Sequence, residues 1–251
     1  MANGVITAVA GAALAAAAAN GQAETPRLTG SFPLVELRQY TLHEGQRDVL
    51  IELFEREFVE SQEAVGMKVI GTFTDLDRPN RFVWLRGFRD MDSRATGLNA
   101  FYTGPVWQAH RNAANATMID SDNVLLLRAP SAGAEFARGA PGGLIVATIY
   151  HLKAQSAEAL ATFEAEVKPR LDRAGAPPIA WFTPETAANN FPRLPVREGE
   201  RLLVWFARFD DDADYAARRA DITQAAGPIS PFLEGDPETL RLKPTARSEL
   251  R

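Results

Sequence analysis

Residues 34–66, LVELRQYTLHEGQRDVLIELFEREFVESQEAVG, contain the first strand and the first helix that the sequence predicts. Leu34 to Leu42 alternates residues that favour β structure, which predicts a strand. Gln46 to Val65 places apolar side chains at helical spacing and glutamates on the other side, which predicts an amphipathic helix. Gly66 stands where a glycine commonly ends a helix. The stretch therefore predicts a β-α unit.

The residues that follow add three strands and a second helical region. Met67 to Thr74 and Arg81 to Phe88 are predicted strands joined by a turn. Asp90 to Met118 is a predicted polar helical region, and Asn123 to Arg128 is a final apolar strand. The order β-α-β-β-α-β is that of ferredoxin-like folds.

The second half of the chain repeats this order, which indicates an internal duplication. Residues 54–58 (FEREF) recur as residues 163–167 (FEAEV), and Gly66 recurs as Gly175. We therefore predict an α+β protein with a first ferredoxin-like unit at residues 31–130, a linker rich in Gly, Ala and Pro at 131–143, and a second, diverged unit at 144–251.

Residues 1–30 are predicted to be a leader followed by a short linker. Val5 to Ala19 is uncharged and rich in alanine, and small residues after it would suit a cleavage site, as in a secretory signal peptide. Residues 1–4 lack the lysine or arginine that such signals carry. We expect a periplasmic or secreted protein, and a cytoplasmic protein with an alanine-rich tail is the alternative.

The composition excludes several classes of function. The 251 residues carry a net charge of −5 with no basic block, so no nucleic-acid partner is expected. The chain has no cysteine, which excludes disulfides and iron–sulfur clusters, and its three histidines show no metal-ligand spacing. No nucleotide-binding loop or serine-hydrolase elbow occurs, and no segment suits an integral membrane span. The excess of arginine over lysine is typical of GC-rich bacterial genomes.

Strand parity places several polar side chains together, because alternate residues of a strand share one face of the sheet. Glu36, Arg38 and Tyr40 share a face of the first strand, and Trp84 and Arg86 share a face of the third. Arginine is seldom buried without a partner, so we expect Arg38 and Arg86 to face a polar or ligand-filled cavity. An internal salt bridge between Arg38 and Glu36, or a carboxylate of a partner strand, is the alternative.

The second unit keeps the aromatic residues of this face and loses its charges. Thr148 aligns with Arg38 and Ala207 aligns with Arg86, whereas Tyr150 and Trp205 are retained. We therefore predict one working pocket, on the first unit.

Tyr102 to Asn115 is the densest polar and aromatic cluster of the first unit. Trp107, His110 and Arg111 would share one face of a helix. His110 is the candidate catalytic residue, as a general base or a haem ligand, because imidazole titrates near neutral pH. A structural or solvent-facing histidine is the alternative. The predicted ligand-binding residues are Arg38, Tyr40, Trp84, Arg86, Tyr102, Trp107 and Arg111.

An ordered set of residues in the first unit is similar to the NIPSNAP family: Glu36-Leu37-Arg38-x-Tyr40-Thr41-Leu42-x-x-Gly45, Phe82-Val83-Trp84-Leu85, Asp90 and Trp107. The resemblance spans Val35 to Arg128 and is weaker in the second unit. It implies a ferredoxin-like unit whose sheet pairs with another to make an α+β barrel. With two units in one chain the pairing can be internal, and a homodimer stays open. The wider superfamily includes cofactor-independent monooxygenases and haem-degrading enzymes.

Two functions follow from these observations. The first is a pocket on the first unit that binds a small, partly apolar or aromatic ligand, in an oxygenase or isomerase that needs no bound cofactor, with haem as the alternative. The second is a non-catalytic protein-interaction module, which would use the proline-rich connection from Pro184 to Glu200 as its contact element.

Overall fold

The computed structural model describes Met1, residues 31–136 and residues 143–251. Apart from Met1 the predicted leader lies outside the described residues, as does part of the predicted linker. The described strands are β1 (Leu34–Leu42), β2 (Lys68–Asp75), β3 (Arg81–Phe88), β4 (Met118–Arg128), β5 (Leu144–His151), β6 (Ala180–Pro184), β7 (Leu202–Phe209) and β8 (Glu238–Pro244).

The helices lie between these strands in the same order in both units. In the first unit, helix α1 covers residues 47–63 and consists of Arg47–Leu53, a π-helical turn at Phe54–Phe58 and Val59–Glu63; α2 is Met91–Thr103 and α3 is Pro105–Asn115. In the second unit, α4 covers residues 157–173 and consists of Ala157–Thr162, a π-helical turn at Phe163–Val167 and Lys168–Arg173. Helix α5 is Asp212–Ala225, and a 3₁₀ turn follows it at Gly227–Phe232. No helix within the described ranges is long and apolar enough to cross a membrane.

The strands close into one barrel in the order β1-β3-β2-β8-β5-β7-β6-β4. Each unit contributes a four-stranded antiparallel sheet, β4-β1-β3-β2 from the first and β8-β5-β7-β6 from the second. Two seams join the sheets: Thr74 of β2 pairs with Lys243 of β8, and Arg128 of β4 pairs with Thr183 of β6. The predicted α+β barrel is confirmed, and its pairing is internal to the chain.

The predicted helical region from Asp90 to Met118 is divided into two helices at Gly104. Gly104 takes an extended conformation, with φ −73° and ψ 160°, and Pro105 then begins α3. Proline suits that position because its missing N–H would lack a helical partner there. The region also ends earlier than expected, since residues from Met118 onward extend β4 along β1.

The two recurring five-residue segments form the π-helical turns, at the same place in each unit. In the first unit the turn buries Phe54 and Phe58 toward the sheet, and the Phe54 and Trp84 ring centroids lie 4.7 Å apart. A glycine follows shortly after the end of each helix, Gly66 with a φ of 85° and Gly175 with a φ of 72°, a conformation that glycine adopts without strain. Duplication thus preserved an uncommon helical distortion, and such turns occur frequently at functional sites.

The two faces of the first sheet pack in different environments. Val35, Leu37, Val83 and Leu85 belong to the apolar core that also holds residues of the second unit. The opposite face, which includes Trp84, packs against the helices of the first unit. The predicted candidate face therefore looks outward to the helices, and the barrel interior beneath it is apolar.

Candidate functional site

A fully buried charge cluster lies on the helix-facing side of the first sheet. Glu36 on β1 and Arg86 on β3 are paired in the register of the two strands, and Arg38 follows on the same face. Glu36 Oε2 accepts from Arg38 Nη1 at 2.8 Å and from Arg86 Nη2 at 2.6 Å, and its Oε1 accepts from Arg94 Nε at 2.8 Å. The salt bridge considered in the sequence is present, with two further arginines on the same carboxylate.

The three guanidinium groups control the ionisation of this carboxyl group. Burial raises the pKa of Glu36, but Arg86, Arg38 and Arg94 lower it by more, so that it lies well below its usual range. Burial lowers the pKa of Arg94, yet an arginine in a protein stays protonated. Within the described parts of the chain, no other carboxylate pairs with these arginines. The cluster therefore holds three positive charges and one negative charge.

Neutral acceptors from the first unit bind two of the arginines. Arg38 Nε donates to Tyr40 Oη at 2.9 Å, and Arg86 Nη1 donates to Gln62 Oε1 at 3.0 Å. Burial raises the pKa of the Tyr40 phenol, which keeps it neutral. The phenol accepts from Arg38, so its own hydrogen can be donated to a ligand.

The second unit supplies the acceptors for Arg94. The connection between β6 and β7, residues 185–201 and hereafter the strap, crosses to the first unit. Arg94 Nη1 donates to Asn189 Oδ1 at 3.0 Å and to Asn190 Oδ1 at 2.8 Å. The Phe191 ring stacks on Tyr102 with 5.9 Å between centroids. The connection that was considered as a contact element for another protein thus packs against the chain's own first unit.

Three buried donors of the site have no hydrogen-bond partner among the residues described: Arg38 Nη2, Arg94 Nη2 and Trp84 Nε1. Nearly all buried polar atoms of native proteins are paired with protein or water. All three atoms are donors, so what the site lacks is an acceptor.

A narrow cavity lies beside the cluster, between the sheet and the helices. The space open to a water-sized sphere measures about 30 Å³, room for about two waters. Its lining residues are Tyr40, Leu50, Phe54, Phe58, Gln62, Trp84, Arg86, Phe101, Tyr102, Trp107 and Met118. The cavity is an aromatic slot with Arg86, Gln62 and Tyr40 as its polar groups.

The structure places five of the seven predicted ligand-binding residues in the lining of this cavity: Tyr40, Trp84, Arg86, Tyr102 and Trp107. Arg38 is not in the lining but contacts it through Tyr40. Arg111 is exposed on α3 and is also outside the lining. The binding roles of all seven residues stay predictions.

His110 lies behind the wall of the cavity and does not line it. Its ring centroid is 6.4 Å from that of Phe58, and its Nε2 is 3.5 Å from Glu57 Oε2. Its role as a general base stays a prediction, and that role requires Phe58, which lines the cavity, to move aside.

Haem does not fit this arrangement. The cavity lining contains no histidine among the described residues, so no imidazole faces it to bind the iron of a haem. The described part of the chain also holds no group of three or more His, Asp or Glu side chains suited to a metal ion.

The second unit repeats the scaffold without the charges. Thr148 pairs with Trp205 in the register that pairs Arg38 with Trp84. Phe163 packs 6.4 Å from Trp205, and burial raises the pKa of Tyr150 to about 12. The predicted difference in charge between the halves is confirmed.

The site also uses residues that the sequence did not single out. Arg94 lies in the polar helical region without any periodic signal, and Gln62 faces the sheet from a helix rich in polar residues. Phe54 and Phe58 had two signals, which are their place among the apolar residues at helical spacing and the recurrence of their segment in the second unit. Asn189 and Asn190 of the strap reach the site because closure of the barrel brings the second unit next to the first.

The model of the NIPSNAP family matches residues 35–132. This range contains the charge cluster and the residues that line the cavity, and the strap lies outside it. On this similarity, the first unit is hereafter called the NIPSNAP domain. No curated protein sequence matches the chain significantly.

Solved structures similar to the whole chain share the fold of the NIPSNAP domain and its diverged partner unit. A provisionally assigned monooxygenase from Lactobacillus acidophilus is 14% identical, with 85% of this chain and 94% of that chain covered and a TM-score of 0.57. One from Fusobacterium nucleatum is 11% identical, with 85% and 93% covered and a TM-score of 0.58. An anthrone oxidase-like protein is 11% identical, with 84% and 91% covered and a TM-score of 0.52. At these identities the likeness concerns the fold.

Proposed function

We propose that this protein binds a small aromatic molecule in the cavity between the sheet and the helices of its NIPSNAP domain. The observation that carries the proposal is the lining, in which aromatic rings surround a few polar groups. Ligand sites commonly combine an apolar wall with a small number of placed polar groups that orient the ligand.

The rim of the cavity can open for such a ligand. Tyr102 and Trp107 line the cavity, are half-buried, and lie on either side of the break at Gly104. With a free volume of about 30 Å³, these rings have to swing outward before an aromatic ring can enter. We assign this movement to these two rings because they are half-buried and lie at the helix break.

Ligand-observed NMR with indole, 2-naphthol and benzoate tests this proposal. We expect at least one probe to bind saturably to a single site, and Trp107→Ala to weaken its binding about tenfold or more, because it removes one wall. Trp181→Ala removes the same side chain from the second unit and is expected to leave the affinity unchanged. The proposal fails if none of the three probes binds at millimolar concentration, or if both variants act alike.

The second candidate is oxygenation of the bound molecule without a cofactor. The solved structures that share the fold include two provisionally assigned monooxygenases and an anthrone oxidase-like protein. The buried positive cluster favours this chemistry, since fixed positive groups stabilise an oxyanion that forms during reaction.

The reaction would convert an activated methylene group to a carbonyl group. Once Phe58 has moved aside, His110 takes one proton from the carbon, and Arg86 stabilises the enolate that results. The enolate carbon passes its electrons to O₂ and forms a carbon–oxygen bond. Cleavage of the O–O bond with loss of the second C–H proton leaves the carbonyl, and one oxygen atom departs as water.

Oxygen uptake with dithranol tests the second candidate. We expect uptake above the buffer rate with one O₂ consumed for each molecule oxidised, and at least a tenfold lower kcat for His110→Ala. The matched variant His151→Ala, in the second unit, should retain the full rate. Uptake no faster than autoxidation in buffer would exclude this candidate and leave binding as the function.

A further inference from the structure

The charge of the site defines the ligand more narrowly than its aromatic walls do. We infer that the ligand of the cavity carries an oxyanion, as a carboxylate, phenolate or enolate, which is held beside Arg86 and Arg38. The inference rests on the proposed binding function and adds the chemical class of the ligand.

The first argument is the uncompensated charge. Glu36 is the single carboxylate that pairs with Arg38, Arg86 and Arg94 in the described parts of the chain, and all four side chains are fully buried. Two positive charges therefore have no counterion. Buried charges in proteins are normally paired, because removing an ion from water costs far more than the hydrogen bonds to neutral groups return.

The second argument is the kind of hydrogen-bonding atom that is left over. Arg38 Nη2 and Arg94 Nη2 are buried donors with no partner among the described residues. The indole nitrogen of Trp84 is also unpaired, but so is that of Trp205 in the uncharged second unit, so the guanidinium atoms carry the argument. Neither arginine lines the cavity, so these atoms indicate that the cluster lacks acceptors and negative charge, and they do not mark the ligand's own contacts.

The third argument is location. Arg86 lines the cavity itself, and its guanidinium carbon lies 4.9 Å from the centre of the Trp84 ring. The guanidinium carbon of Arg38 lies 5.4 Å from the ring centre of Tyr40 and 5.5 Å from that of Trp84, both of which also line the cavity. An oxyanion at the inner end of the slot would therefore lie beside Arg86, with the charge of Arg38 close to the Tyr40 and Trp84 rings and the Tyr40 hydroxyl as a donor.

Three planar probes of nearly the same shape and different charge test the inference by calorimetry on the full chain: benzoate, benzamide and benzamidine. We expect benzoate to bind at least tenfold more tightly than benzamide, and benzamidine not to bind. A charge-assisted hydrogen bond in a buried site is stronger than a neutral one, which is the reason for this order.

Arg86→Met tests whether the preference for benzoate arises at Arg86. Arg89→Met is the matched control, because Arg89 is exposed beyond the end of β3. Arg86→Met removes one of the surplus charges and leaves Glu36 paired with Arg38 and Arg94, so the variant should fold. We expect it to reduce the preference for benzoate over benzamide at least tenfold, while Arg89→Met keeps it.

Each remaining outcome overturns the inference in a distinguishable way. Equal binding of benzoate and benzamide would overturn the inference that the ligand is an anion, and the proposed binding of an aromatic molecule would stand. A preference for benzoate that survives in Arg86→Met would place the anion elsewhere. If none of these probes binds, and indole and 2-naphthol also fail, the proposed function falls together with the inference. If Arg86→Met does not fold, the wild-type comparison alone decides.

Discussion

Replacing Glu36 with glutamine is expected to lower the free energy of unfolding by about 3–5 kcal/mol, the usual cost of breaking a buried ion pair by removing one partner. Glu36 is the counterion of three buried arginines, and glutamine would leave all three without a negative charge. Urea denaturation followed by circular dichroism measures the change. Glu52→Gln removes a carboxylate that is 79% exposed and pairs with Arg56, so it should cost less than about 1 kcal/mol.

The same variant should change how stability depends on pH. The folded-state pKa of Glu36 is lowered from an ordinary value of 4.5. The unfolded chain therefore binds a proton at this residue at higher pH than the folded chain does. The stabilisation by this group is complete above pH 4.5 and is lost as the pH falls from there toward the lowered pKa.

A fixed-temperature comparison of the wild-type protein and Glu36→Gln from pH 7 down to pH 3 checks this sign. The stability difference between the two proteins should be largest at the neutral end and shrink in acid. A difference that stays constant over this range, or a total loss below 1 kcal/mol, would show that the cluster does not depend on the Glu36 charge.

The inferred anion binding predicts a change in stability that urea denaturation can measure. The positive surplus destabilises the free protein, and a bound oxyanion would relieve part of that cost. A ligand that binds the folded state alone stabilises it by mass action. Benzoate should therefore raise the urea midpoint of the wild-type protein more than benzamide does.

Local sequence patterns predicted the elements that depend on neighbouring residues. The bounds of β1 and β3 match the prediction because alternation and β propensity are local properties of those segments. The recurrence of residues 54–58 identified the duplication, and the structure adds that both copies are π-helical turns. The break at Gly104 also agrees with a local signal, because Pro105 suits the first turn of a helix.

Tertiary contacts were harder to predict, because they depend on how the barrel closes. Strand parity placed Glu36, Arg38 and Arg86 on one face, but parity alone does not show whether that face meets the helices or the barrel interior. Arg94 joins the cluster from α2, and the strap asparagines come from the other unit. No pattern within one segment encodes contacts between residues so far apart in the chain.

The strap makes the second unit part of the site of the first, and Phe191→Ala tests this dependence. Phe191 is 9% exposed and stacks on Tyr102, while the neighbouring Asn190 Nδ2 donates to Met91 O at 2.5 Å. Removing a buried phenylalanine ring costs about 3–5 kcal/mol, and the lower end applies at this rim position. We expect a loss of about 3 kcal/mol, measured by urea denaturation.

Hydrogen exchange distinguishes a local role of the strap from a general loss of stability. Amides of α2 and α3 should exchange faster in Phe191→Ala, while those of β5 keep their protection relative to global unfolding, because the ring covers the first unit only. Arg193→Ala alters an exposed residue of the same strap and should change neither measurement. Uniform loss of protection in both units would show that the strap serves the barrel as a whole. Selective loss of protection in α2 and α3 would show that the diverged second unit supports the cavity of the NIPSNAP domain. That support would be a physical reason for joining a charged unit and an uncharged unit in one chain.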